Sequence, residues 1–464
     1  MNVDKDLFMY DLVAVTIVRD QAPYIKEWID YHLLAGVNHF LIYNNDSSDN
    51  LQEVLKPYAE KKLVTVMPAP QTHRQLEAYN DAVRNFKYFC RLMAFIDVDE
   101  FIMPKNGISI AEVVDEILET NNADGLAINL HNFGSNNFEK ADYNVGVLER
   151  FTRRAVDDWA PLENDIPSGN AAVKIIADPR RIKCFTNPHV PKFLDSCKCV
   201  NEKGVEVTEN FSVPVTADKI VINYYATKSR AEYAEKVHRR ETAKFAKRNE
   251  LVGFDVNDRN EVVDEEILSY REKLRAEQVP KDDVLKFFAE KNRINSGRMF
   301  KALVENLMPE FDKKNLKVYF QNPKNRIKYF EELIKFYKST PPGFFDDEFE
   351  TFLICMKVSA YLKKGYLDET LGALFEEASL NALCQTFFTR ISIVDLRLLI
   401  DELPRILTLP YKSVESLLVG THNVFTQYLQ DFRTNGEMEK LEELIYLMRM
   451  LQTLAAYRRA LNGR

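Results

Sequence analysis

The sequence predicts an α/β fold in which a mostly parallel sheet domain is followed by an all-helical domain. Three observations predict it. Strand and helix patterns alternate up to Phe101, polar turn segments recur where the strands end, and beyond Pro280 the chain reads almost wholly helical. Leu12 to Val18 is a continuous apolar run, as a strand covered on both faces requires, and Arg19-Asp20 breaks it with Asp20 in position to cap a helix. Tyr24 to Leu34 carries apolar residues at helical spacing and stops at Ala35-Gly36. Phe40 to Tyr43 is a second strand running into Asn44-Asn45-Asp46-Ser47-Ser48-Asp49, side chains that bond their own backbone in turns. Leu51 to Tyr58 reads as helix, Leu63 to Val66 as strand, Gln75 to Tyr88 as helix and Leu92 to Ile96 as strand. Right-handed crossovers between such units make the sheet parallel, and ligands then bind beyond the carboxyl ends of the strands.

The fourth strand drives into Phe95-Ile96-Asp97-Val98-Asp99-Glu100-Phe101-Ile102, three carboxylates where a sheet should end. In an extended segment Asp97 and Asp99 share one side while Val98 points the other way. Two hard oxygen ligands side by side suit Mg²⁺ or Mn²⁺, which bridges phosphate oxygens and offsets charge on a leaving diphosphate. An acidic turn after a buried strand would look the same in isolation. Here Thr16 to Asp20, Asn44 to Asp49 and Asp97 to Asp99 are all expected at one rim. No Gly-x-Gly-x-x-Gly follows the first strand and no Gly-x-x-x-x-Gly-Lys-Ser/Thr occurs, which argues against a dinucleotide fold and a P-loop nucleotidase.

Ala14 to Asp20, Tyr24 to His32, Gly36-Val37, Phe40 to Asp49, Gln75 with Ala78-Tyr79-Asn80-Asp81, and Phe95 to Phe101 together resemble glycosyltransferase family 92 and its bacterial family-2-like relatives of GT-A fold. Asn132 to Ser135, Lys174 to Pro179, Asn187-Pro188-His189-Val190, and Lys228-Ser229 with Glu232-Tyr233 look like the family's later blocks. The resemblance implies a Rossmann-like GT-A domain that transfers a sugar from a nucleotide diphosphate donor, a UDP-sugar by likeness, to a hydroxyl of a glycan or glycolipid in surface polysaccharide synthesis. By the same resemblance Thr16, Arg19, Asn45, Asp46 and Asp49 hold base and ribose, with Asp49 equally suited to capping the next helix. Gln75 and Tyr79, four apart, form the favoured pair from the third block, because Asp81 cannot share a face with Tyr79. Asp97 and Asp99 would hold Mn²⁺ or Mg²⁺, Asp97 also reaching toward ribose and Glu100 serving as a supporting acceptor. GT-A enzymes commonly add a histidine ligand from later in the chain, and His189 is the candidate. The family's His-Tyr pair before the Lys-Ser block reads Tyr224-Tyr225 here, a departure that puts the usual metal ligand in doubt.

An inverting member needs a carboxylate to take the proton of the attacking hydroxyl. Asp158 is ranked first, ahead of Asp157 and Glu163, around Trp159, whose ring suits stacking on a sugar. Lys174, Lys192 and Lys228 are cations available to the diphosphate. Cys184, Cys197 and Cys199 cluster with His189, but Cys197-Lys198-Cys199 lacks a zinc-knuckle gap, and inert thiols are the simpler reading. The cysteine usage, the N-terminal residues and the absence of a long apolar run lead to the expectation of a cytoplasmic protein, peripheral at most at the inner membrane face. The net charge of -8 argues against broad nucleic-acid binding. Lys228 to Arg248 is a local basic exception, read as a solvated helix face able to lean on anionic lipid. The expected organisation is a transferase domain at 1–248, a linker region at 249–280, and a helical domain at 281–464 for acceptor choice, oligomerisation or docking. Two rival readings are a sugar nucleotidyltransferase, which would want a glycine-rich basic loop where Arg19-Asp20-Gln21-Ala22-Pro23 stands, and a non-catalytic adaptor with a decayed front domain.

Overall fold

The computed structural model describes residues 8–69, 75–87, 89–105, 108–241, 250–278 and 284–292, with scattered positions between 418 and 455. The chain divides into two compact units, Met1–Ala302 with Pro341–Phe344, and Leu303–Thr340 with Phe345–Arg464; the sheet lies in the first. Nearly all of the expected helical domain lies outside the described residues.

The expected alternation is present. Strand β1 (Tyr10–Val18) leads to helix α1 (Ala22–Leu34), β2 (His39–Asn44) to α2 (Leu51–Glu60), β3 (Val64–Pro68) to α3 (Gln75–Phe86), and then to β4 (Cys90–Phe95). After β5 (Glu100–Pro104) and α4 (Ile110–Asn121) come β6 (Gly125–Asn132), β7 (Val173–Ala177), β8 (Cys199–Val200) and β9 (Ile220–Tyr224). They form one mixed sheet in the order β3-β2-β1-β4-β7-β6-β9-β5, with β8 also on β6. β1, β2, β3 and β4 pair in parallel, as do β6 and β9. β7 is antiparallel to both β4 and β6, so β6 runs the same way as β4. The fully buried runs in β4 and β6 follow from their central places, where strands flank both sides and helices or loops cover both faces.

β5 is an edge strand, which leaves a row of backbone groups in need of partners. Helix α1 supplies them. Trp28 Nε1 donates to the Glu100 carbonyl at 2.8 Å, Tyr31 Oη donates to the Ile102 carbonyl at 2.8 Å, and His32 Nε2 accepts the Ile102 amide at 3.3 Å. These bonds fix the start of β5, and with it Glu100. Gly36, at φ +105°, turns the chain out of α1 in a conformation other residues rarely adopt.

The expected linker region at 249–280 carries helical structure over most of its length. Helix α5 (Arg230–Glu241) is followed by α6 (Glu250–Asn257) and α7 (Glu266–Gln278). Phe254 is buried, and Ile267, Tyr270 and Leu274 of α7 join the core shared with α1. Their three- and four-residue spacing forms one apolar stripe, which the charged composition of this stretch conceals. Among the described residues no helix is long and apolar enough to cross a membrane.

Three buried histidines are held neutral. Burial lowers His32, His39 and His131 from 6.5 to about 3. The Nδ1–H of His32 donates to the Trp28 carbonyl, and His39 spans the Lys62 carbonyl and the Thr65 hydroxyl. Since the folded values lie below the unfolded ones, this contribution to stability is complete above pH 6.5 and is lost as pH falls toward 3. The thermal unfolding midpoint is therefore expected to decline from pH 6.5 to 5. The decline should be shallower in His39→Asn, which keeps a donor near Nδ1 and cannot charge; equal slopes would refute the assignment.

Candidate active site

The carboxyl ends of β1, β2, β3, β4, β6 and β9 share one rim, and the amino ends of β7 and β5 meet them there. Val18, Asn44, Phe95, Asn132 and Tyr224 end the outgoing strands, while Lys174 and Glu100 stand near the start of the returning ones. The acidic string lies in the middle of this rim, but not in the extended form expected. β4 stops at Phe95, and the Glu100 amide bonds the Asp97 carbonyl at 3.0 Å, closing a turn that reverses the chain into β5. Asp97 and Asp99 consequently face different partners.

Asp97 sits in a network built by α3 and β7. Gln75 Nε2 donates to Asp97 Oδ1 at 2.7 Å and to the Tyr79 hydroxyl at 2.9 Å, and Lys174 Nζ donates to Asp97 Oδ2 at 2.9 Å. Gln75 and Tyr79 thus meet on one helical face, whereas Asp81 turns away to accept from Tyr43 at 2.8 Å. Glu100 accepts the Asp97 amide at 2.8 Å and lies 3.5 Å from Lys174, so it supports the turn from behind. Burial raises the Glu100 carboxyl to about 8; Lys174 opposes that rise, while Asp97 and Asp99 add to it. Burial works against the Lys174 ammonium, yet Asp97 and Glu100 hold it charged, well above the ordinary lysine range.

Asp99 faces the cations of the Lys-Ser block. Lys236 Nζ donates to Asp99 Oδ2 at 2.7 Å, and Lys228 lies nearby. Burial works against ionisation of Asp99, but Lys236 and Lys228 outweigh it and keep the carboxylate anionic well below its usual range. Lys228 is only 6% exposed, its Nζ lies 4.5 Å from the Tyr24 ring centroid, and burial lowers it to about 8. Of the expected solvated basic face, Lys228 and Lys236 belong to the site instead, while the side chains of Arg239, Arg240, Lys244, Lys247 and Arg248 lie outside the described residues. Ser229 and Glu232 set the phase of α5: the Ser229 hydroxyl donates to Glu232 Oε2 at 2.6 Å and accepts the Glu232 amide at 3.3 Å. Arg150 and the Tyr24 hydroxyl then clamp Glu232. Ser229→Ala should cost about 1 kcal/mol of stability, and more frequent opening of α5 should appear as faster amide exchange across residues 230–236. Unchanged exchange there would refute this role.

His189 reaches the same rim. Its Nδ1 bonds the Val173 carbonyl at 2.8 Å, which places the proton on Nδ1 and leaves the Nε2 lone pair for a ligand. Burial, with Lys174 next, lowers its basicity. The other residues proposed from sequence are distributed unevenly. Asp49 accepts from Ala22 N at 2.8 Å and Leu51 N at 3.2 Å, so it ties down the starts of α1 and α2. It takes the capping place expected of Asp20, which instead accepts the Ser48 amide at 2.6 Å. Asp46 and Arg19 are exposed at the rim, and Asn45 is buried there. Thr16 is wholly buried within β1, its hydroxyl without a hydrogen-bond partner among the described residues. Asp157 accepts from Arg154 Nη1 at 2.6 Å, while Asp158 and Glu163 are exposed in the segment leading to β7. The half-buried Trp159 ring, expected to suit stacking on a sugar, packs against Gly169 and has the Arg259 guanidinium 5.2 Å from its centroid. Cys90 and Cys199 are buried, and burial pushes the Cys197 thiol up, away from the thiolate a metal needs.

The sequence matches the family model for glycosyltransferase family 92 over residues 13–275, more than half of the chain and past the expected domain end at 248. The chain belongs to glycosyltransferase family 92. A family 92 protein of Ricinus communis is 24% identical over 240 residues, which are 50% of this chain and 38% of that protein. One of Oryza sativa subsp. japonica is 27% identical over 146 residues, 31% of this chain and 25% of that protein. A galactan beta-1,4-galactosyltransferase of Arabidopsis thaliana is 31% identical over 105 residues, 20% of each chain. This family 92 chain therefore spans well under two thirds of the length of the curated relatives it matches.

Sequence reasoning named Lys174 and Lys228, with Lys192, as cations for the diphosphate, counted Lys236 only within the solvated basic stretch, and passed over Arg150. The signal available was Ser229-x-x-Glu232 followed by Lys236 four residues later, a capped helix with Glu232 and Lys236 on one face.

Proposed function

We propose that this family 92 protein is a GT-A glycosyltransferase that moves a sugar from a nucleoside diphosphate donor, a UDP-sugar, to a hydroxyl of a glycan or glycolipid with inversion. The observation that carries this reading is the convergence of Asp97, Asp99, Lys174 and His189 at one strand rim inside the family-matched segment. The galactan beta-1,4-galactosyltransferase name of one relative is consistent with a hexosyl donor.

Two carboxylates and a neutral imidazole nitrogen have the donor chemistry for Mn²⁺ or Mg²⁺. Among the described residues, however, no three such side chains already stand together as a metal cluster. Lys174 and Lys236 occupy oxygens of Asp97 and Asp99. Asp99, Asp97 and His189 are the residues that would hold the ion, with Asp99 giving up Lys236. When bound, such an ion offsets charge on the departing diphosphate. Gln75, Tyr79 and Glu100 keep Asp97 oriented, and Asn45, Asp46 and Arg19 border the place for base and ribose. Asp158, exposed ahead of β7, is the proposed base for the acceptor hydroxyl, with Asp157 engaged by Arg154.

A panel of nucleotide sugars assayed for transfer or hydrolysis, with Mn²⁺ and with chelator, tests the reading. Metal-stimulated release of uridine diphosphate is expected. A chain that neither binds nor cleaves any member of the panel would refute it.

A further inference from the structure

Beside Asp99 lies a cleft lined by Gln21, Tyr24, Asp99, Lys228, Glu232 and Lys236. Its carboxylates are already engaged. Glu232 is held by Arg150 at 3.1 Å, by Tyr24 at 2.9 Å and by Ser229, and Asp99 is held by Lys236. Lys228 differs from the other cations here. It is buried, lines the cleft, and among the described residues has no carboxylate within ion-pair distance and no hydrogen-bond acceptor; its one close partner is the Tyr24 ring. The Lys228 stem is buried while its ammonium opens onto the cleft without a protein acceptor among the described residues, so an anion entering the cleft meets an uncommitted charge. Lys236 lines the same cleft on a long, flexible stem, side chain 22% exposed, able to exchange one carboxylate oxygen for another anionic oxygen.

We infer that Lys228 and Lys236 form the subsite for the diphosphate of the donor, Lys228 as a standing charge and Lys236 by transferring from Asp99 to a phosphate oxygen. This rests on the donor reading above and on the expectation that Lys228 serves the diphosphate, and goes beyond both by adding Lys236 and the exchange that releases Asp99. The transfer also frees Asp99, so one exchange opens the carboxylate and neutralises the incoming anion. Two ammonium groups with several donors match a multi-oxygen anion better than a single carboxylate, and lysine is a usual point-charge partner of phosphate.

Calorimetric titration of the full chain with inorganic pyrophosphate, uridine diphosphate and uridine, each with and without Mn²⁺, tests this in wild type, Lys228→Met, Lys236→Gln and Lys236→Arg. Both phosphate ligands are expected to bind about 10-fold or more weakly to Lys228→Met and Lys236→Gln, the loss of one charge-assisted hydrogen bond. Uridine should be unaffected, and Lys236→Arg should retain most of the affinity. Lys236 is partly exposed, so its variants keep the test decisive if Lys228→Met does not fold. Tight uridine diphosphate binding that ignores both lysines overturns the subsite and leaves the donor reading standing. Lysine-dependent pyrophosphate binding without any for uridine diphosphate supports the subsite and removes the uridine donor. Binding of neither phosphate ligand by wild type overturns both.

Discussion

Asp99→Ala is expected to lower kcat/KM for the sugar donor by about 10²- to 10³-fold, the scale seen when one preorganised electrostatic partner is removed from a transferring group. Two effects combine. The carboxylate proposed to hold the divalent ion is gone, and Lys236 loses the oxygen it meets at 2.7 Å. Lys228, already without a carboxylate in ion-pair distance among the described residues, is left beside a second uncompensated cation. Asp99→Asn should lose nearly as much turnover, because an amide oxygen is a weak partner for a divalent ion, while its shape preserves the turn. A metal titration gives the discriminating readout: turnover in both variants should no longer rise with Mn²⁺. Full metal-dependent turnover in Asp99→Ala would show that the ion binds elsewhere.

Lys174→Met is expected to lose about 3–5 kcal/mol of folding stability, as when one member of a buried ion pair is removed and the other stays. The lysine side chain is 3% exposed and stands between Asp97 at 2.9 Å and Glu100 at 3.5 Å. Without it two carboxyl groups face one another across a closed turn. Glu100 relieves part of this by taking a proton, so the loss should grow with pH. The sign follows from linkage: with Lys174 in place the folded Glu100 value of about 8 already lies above the ordinary 4.5, so stability falls from pH 4.5 to 8 in both proteins, and because Lys174 opposes that rise, its removal moves the folded value higher and opens the variant's extra loss above pH 8. Lys174→Met combined with Glu100→Gln should therefore recover much of the stability and flatten the pH dependence over that window. Denaturant titrations at pH 5, 8 and 9.5 measure both, and additive losses in the double variant would refute the coupling.

Much of the scaffold was legible before any coordinates. The apolar runs at Leu12–Val18, Phe40–Tyr43, Leu63–Val66 and Leu92–Ile96 lie in parallel strands, because only strands covered on both faces are this uniformly apolar. The pairing of Gln75 with Tyr79, and the turning away of Asp81, followed from helical geometry alone. α7 was not legible as part of the same domain, since Ile267, Tyr270 and Leu274 sit among charges that dominate its composition. Asp49 looked equally suited to ligand and cap, and only the neighbouring helix start at Ala22 distinguishes the two.

The sequence by itself determined the alternating strands and helices and the acids at the end of the fourth strand, because each depends on spacing along a few residues. Only the tertiary structure decided which charge meets which. Lys174 on Asp97 bridges 77 positions and Lys236 on Asp99 bridges 137, separations at which pairing is set by strand order and helix packing rather than by local pattern.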